Sequence, residues 1–167
     1  MKFQNLFFLI ALVLVILFTY TLSQNRVFPS IRIKKLTGEI VDTRNFGNNG
    51  NPFLIVFFGT CCNPSLKAMS EISENYKIWQ NKYKLKIIAI CIDDSRNSKK
   101  VAPLAKSNGW MFDIFLDENS DFKREMNVSD KPHFTLFDGK GKILYQKAGY
   151  MPGLGNEIKK VLEEIPQ

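Results

Sequence analysis

Two adjacent cysteines, Cys61 and Cys62, stand between an apolar run ending in Phe57-Phe58-Gly59-Thr60 and the segment Asn63-Pro64-Ser65, from which a helix is expected to start. A thiol at a helix start meets unpaired backbone N–H groups and the positive end of the helix dipole, and both favour its ionised form. The thiolate is what attacks disulfides, so Cys62 is the candidate nucleophile. A resolving cysteine is expected three residues on, and this chain has Ser65 there. Serine cannot resolve a mixed disulfide, because its alkoxide is inaccessible at neutral pH and attack by oxygen on sulfur yields no disulfide. Its hydroxyl is expected instead to donate a hydrogen bond to the Cys62 thiolate. The pattern is that of a monothiol site: Cys62 captures a sulfur partner, and release needs a second thiol from the substrate or from a small molecule.

The other thiols fit less readily into this chemistry. Neighbouring α-carbons lie about 3.8 Å apart, against the roughly 4.4 to 6.8 Å usual for disulfides, so a bridge between Cys61 and Cys62 would be strained. Cys61 then reads as a separate, oxidation-sensitive thiol. Cys91 lies near the end of an apolar strand and reads as core, although the carboxyl ends of parallel strands are where such sheets place their sites. No set of residues has metal-ligand spacing, and no metal or organic cofactor is expected.

The elements that must hold Cys62 can be read from periodicity. Phe53 to Phe58 is apolar without alternation, the pattern of a strand covered on both faces. Leu66, Met69, Ile72, Tyr76 and Trp79 then recur at steps of three and four, predicting a helix over Pro64 to Asn81 with one buried face. Pro64 suits its first turn, where a missing N–H costs no helical bond. Leu85 to Ile92 is a second continuously apolar strand, and strand, helix, strand in this order implies a parallel crossover. Around these, Ser30 to Gly38 is expected to be an edge strand and turn, and Asn45 to Pro52 a loop. Ser95 to Asn108 is expected to be a helix kinked or divided by Pro103. Met111 to Leu116 is expected as a short strand and Asn119 to Met126 as a short helix. Phe134 to Phe137 and Ile143 to Gln146 form a hairpin around Asp138-Gly139-Lys140-Gly141, and Leu154 to Ile165 a closing amphipathic helix.

Ahead of this domain, Leu6 to Leu22 is an almost unbroken apolar run with Lys2 before it and no small-x-small cleavage site after it. It reads as an uncleaved signal anchor, giving a transmembrane segment over residues 1–25 and one domain over 26–167. The expected location is the bacterial inner membrane, crossed once, with the domain on the periplasmic side, because long domains translocate largely regardless of their charge. A formal net charge of +7 raises the question of nucleic acid. The lysines are scattered without interleaved aromatics, so no nucleic-acid partner is expected, and a surface near anionic lipid is the economical reading.

A cysteine at a strand-to-helix junction within a parallel unit, followed by a hairpin entered through a proline, resembles the thioredoxin superfamily. Phe57-Phe58-Gly59-Thr60, Met69, Lys131-Pro132-His133-Phe134 and the N-terminal apolar run look most like its membrane-tethered TlpA/ResA-type thiol-disulfide oxidoreductases. The resemblance spans about residues 30 to 165. It implies an α/β fold with a central mixed sheet flanked by helices, and Pro132 as the cis-proline facing the motif. It also implies Lys131 opposite the nucleophile, where its ammonium could stabilise the Cys62 thiolate. His133 could move protons for Cys62. The chain departs from the pattern at Cys61, where tryptophan is usual, at Ser65, and at Ala68, where many members of this branch carry a glutamate. The reading that follows is a membrane-anchored monothiol oxidoreductase acting on protein or small-molecule disulfides outside the cytoplasm. The same fold could instead serve as a catalytically inactive binding or assembly module for extended peptides. A one-cysteine peroxidase of the redoxin type would need a threonine three residues before the nucleophile and an arginine partner; Gly59 holds the first position.

Overall fold

The computed structural model describes residues 28–165. The apolar run Leu6–Leu22, read as a membrane anchor, lies outside them. Among the described residues no helix is long and apolar enough to cross a membrane.

Seven strands form one mixed sheet: β1 (Arg32–Lys35), β2 (Ile40–Asp42), β3 (Phe53–Phe58), β4 (Lys86–Cys91), β5 (Asp113–Leu116), β6 (His133–Phe137) and β7 (Ile143–Ala148), in the order β2-β1-β5-β4-β3-β6-β7. β3, β4 and β5 run parallel, while β6 lies antiparallel to β3 and β1 antiparallel to β5. The helices are α1 (Asn63–Tyr83), α2 (Val101–Ser107), α3 (Asp121–Glu125) and α4 (Leu154–Glu163). The three parallel strands therefore end on one side of the sheet, and β6 begins there.

Two apolar layers follow from the alternation of side chains across β3 and β4. Leu54, Val56, Phe58, Ile87, Ala89 and Cys91 face α1 and α4, while Ile55, Phe57, Ile88 and Ile90 face the side covered by Phe122 of α3. Every side chain of β3 is buried, which is why this strand shows no alternation in sequence. On α1, Met69, Ile72, Tyr76 and Trp79 are buried, as their spacing predicts.

Three expectations need correction. The strand within Ser30–Gly38 is not at the edge: the three-residue β2 pairs outside it, and β2 is too short to leave a periodic signal. The segment Ser95–Asn108 is divided ahead of Pro103 and not at it: a 3-10 turn over Ser98–Lys100 leads directly into α2. α2 begins at Val101, so Pro103 sits in its first turn, where no helical N–H bond is lost. β4 ends at Cys91, one residue before the expected Ile92. The Asp138–Lys142 turn carries Gly139 for a steric reason: a Cβ there would lie 1.7 Å from the Gly50 carbonyl oxygen.

Candidate active site

Phe58 ends β3, and Ile92 N–H still donates to the Phe58 carbonyl at 3.0 Å, so the first residues past β3 and β4 run side by side. Gly59, Thr60 and Cys61 turn from β3 into α1, the turn being closed by Cys62 N–H to the Gly59 carbonyl. Cys62 is the N-cap of α1, with extended backbone and no side-chain cap bond, and its carbonyl takes the first helical bond from Leu66. Its sulfur, half-buried, donates to the Lys131 carbonyl at 3.8 Å. The Lys131–Pro132 peptide is cis, and the Pro132 carbonyl accepts from Gly149 N–H at 2.8 Å. Helix start, thiol and the residues leading into β6 thus meet at one end of the sheet.

The structure places the other expected residues differently. Ser65 is fully buried, and its hydroxyl accepts from Gly59 N–H at 3.4 Å. Among the described residues it makes no hydrogen bond to Cys62, so its role is to hold the turn that carries the thiol. The Lys131 ammonium is not aimed at Cys62 either. It lies 3.5 Å from Asp93 and 4.0 Å from the Cys61 sulfur, because Asp93 stands at the end of β4 on that side. His133 pairs in register with Phe57, which faces the α3 layer, so its imidazole is turned to the face of the sheet opposite α1. There its Nε2 lies 3.0 Å from Gln146 Nε2, and its Nδ1 has no partner among the described residues. A proton shuttle to Cys62 does not fit that orientation. Ala68, where a glutamate was the alternative, is sealed in the core.

Burial holds His133 below the ordinary imidazole range, an effect partly offset by Asp130. The folded state thus binds the proton less readily than the unfolded chain, whose imidazole titrates near 6.5. Stability from this residue is complete above that pH and is lost as pH falls through it. His133→Gln is expected to unfold less steeply with acidification below about pH 6.5 in urea titrations. Parallel acid profiles for the two proteins would refute this.

Cys91 is fully buried, and burial pushes its thiol up to about 12, so it takes no part in exchange at neutral pH. Asp93 is the residue that sequence reasoning missed. Its side chain is 3% exposed, and one oxygen accepts from both the N–H and the hydroxyl of Thr60, at 2.7 and 2.6 Å. Only the pairing of β4 beside β3 brings it there, and no local pattern announces it. Among the described residues no group of His, Cys, Asp and Glu side chains is arranged to hold a metal ion.

A mixed sheet with a half-buried cysteine capping the helix after its central strand, set against the residue before a cis-proline, defines a thioredoxin-like thiol protein. Sequence comparison places it further. The chain belongs to the AhpC/TSA family, whose model matches residues 25–146. It is similar to thiol-disulfide oxidoreductase ResA of Bacillus thuringiensis subsp. konkukian, at 26% identity over 81% of this chain and 72% of the relative. The solution structure of an uncharacterized thioredoxin-like protein from Porphyromonas gingivalis matches at 42% identity with a TM-score of 0.73, covering 82% of this chain and 90% of that one. The crystal structure of StoA from Bacillus subtilis, at 22% identity and a TM-score of 0.63, covers 82% and 98% and agrees in fold.

Proposed function

We propose that this chain is a thiol-disulfide oxidoreductase that works through Cys62 as a single attacking thiol, anchored by Leu6–Leu22 in the bacterial inner membrane with its domain on the periplasmic side. The observation that carries the reading is the position of Cys62: it caps α1, is half-buried, and lies beside the Lys131 carbonyl at the rim of the sheet. The resemblance to ResA supports the activity class. The apolar run after Lys2 supports the anchor.

The chemistry balances with no cofactor. The Cys62 thiolate attacks a substrate disulfide, forming a mixed disulfide and releasing one substrate thiolate. A second thiol, from the substrate or a small molecule, then attacks the mixed disulfide, restores Cys62 and carries away the new disulfide. Ser65 cannot perform the second step, and Cys91 is out of reach of solvent. A peroxidase reading is disfavoured by space as well as by sequence. A Cβ on Gly59 would lie 2.5 Å from the Lys131 ammonium and 2.8 Å from Asp93 Oδ1, so a threonine there would have to push that pair aside.

The test is capture. Full-length protein expressed in bacteria is expected to accumulate mixed disulfides through Cys62, visible as thiol-sensitive bands on non-reducing gels. Ser65→Cys, which puts a thiol one helical turn along from Cys62, is expected to shorten their lifetime. Protein that forms no adduct at Cys62 would favour a binding module over an enzyme.

A further inference from the structure

We propose that Cys61 is a second reactive thiol of this chain, one that accepts small disulfides bearing carboxylates, and that Asp93 is the positioning residue that equips it. The inference goes beyond the Cys62 reading and does not depend on Cys62 being reactive.

Of the three cysteines, Cys61 is the exposed one. Its sulfur lies 4.0 Å from the Lys131 ammonium, and that ammonium is not a freely waving surface group. Asp93, buried at the end of β4, accepts it at 3.5 Å while its other oxygen is committed to Thr60. The carboxylate is sealed and the lysine side chain is 33% exposed, so the pair presents its positive end outward, beside Cys61.

The backbone is shaped to accept this pair. Lys131 Nζ, Lys131 Cδ and Asp93 Oδ1 all come within 3.0 Å of where a Cβ on Gly59 would stand, so only glycine lets the ammonium lie across the turn. Thr60, tied by two bonds to Asp93, fixes the residue immediately before Cys61. Gly59, Thr60 and Asp93 therefore hold the Lys131 ammonium next to one accessible thiol.

A cation at this place attracts a disulfide that carries negative charge to the sulfur beside it. The Cys61 thiolate attacks one sulfur of such a disulfide, forming a mixed disulfide on Cys61 and releasing the other half as a thiolate. An external thiol later reverses the capture, leaving with the bound half as a new disulfide.

The experiment compares two small disulfides of opposite charge, 5,5′-dithiobis(2-nitrobenzoate) and cystamine. The protein is full-length Cys62→Ser, in which Cys61 is the accessible thiol, and mass spectrometry locates the adduct. Lys131→Met is expected to slow the dianionic probe about fivefold, the order expected of one unit charge near 4 Å in water, without slowing the dicationic one. About 0.5 M salt should erase the difference. Asp93→Asn removes a negative charge beside the ammonium, so on charge alone the dianionic probe would speed up; a charge-selective slowing, partly restored by Asp93→Glu, is expected if Asp93 positions the ammonium, and a speeding overturns that role. The proposal is overturned if Cys61 carries no adduct or if Lys131→Met changes both probes equally; should Asp93→Asn fail to fold, the Lys131 variant decides alone. Because Cys61 is scored with Cys62 removed, this result is separate from trapping at Cys62, which is expected to persist in Cys61→Ser.

Discussion

Cys62→Ser is expected to bring reduction of a protein disulfide, followed as insulin precipitation with an external thiol supplied, down to the rate of the buffer control. The replacement is nearly isosteric and the residue caps a helix, a position serine favours, so the fold should survive or gain slightly. What is lost is the thiol that caps α1 beside the Lys131 carbonyl. Cys91→Ser makes the contrast. That sulfur is sealed in the core, so its replacement should leave turnover unchanged and appear only as a loss of stability. Turnover in Cys62→Ser equal to the parent would remove Cys62 as the attacking thiol.

Phe58→Ala is expected to destabilise the domain by about 3 to 5 kcal/mol, the range for emptying a fully buried aromatic site. Phe58 is 0% exposed and meets Trp110 edge-on, with ring centroids 5.7 Å apart. For a domain of this size the melting temperature should fall by about 10 °C or more, measured by circular dichroism. The effect should extend to function. Phe58 is the last residue of β3, and its carbonyl accepts from Ile92 N–H, the bond that keeps Asp93 beside Thr60. Loosening it is expected to blur the Cys61 and Cys62 turn before the domain unfolds, seen as faster hydrogen exchange at residues 59–62 than in the parent. A shift in melting temperature of under about 2 °C would contradict this account of the core.

Much of the fold was legible because its central elements carry strong periodic signals. Phe53–Phe58 is a strand covered on both faces, and α1 repeats its apolar residues on one face over most of its length. Cys62 was legible for a related reason, since an apolar strand and an amphipathic helix separated by a four-residue turn locate the helix terminus almost by themselves. What escaped were features set by tertiary neighbours. β2 has three residues and exists only because β1 offers an edge. Pro103 looked like a helix breaker because the start of α2 at Val101 carries no capping residue to mark it. Lys131 was expected over Cys62, but a buried carboxylate 38 residues away in sequence draws its ammonium toward Cys61. Ser65 was expected to serve the thiolate and instead serves the backbone of Gly59. In each case the motif located the region and the packing decided which partner each side chain met.

The absent side chain at position 59 also bears on how this chain could change its chemistry over time. Any branched residue there must first displace the lysine, and the stranded aspartate would then be a buried charge without a counterion. Positions 59, 93 and 131, far apart in the chain, are thereby tied to one another: what can stand at one depends on what stands at the other two.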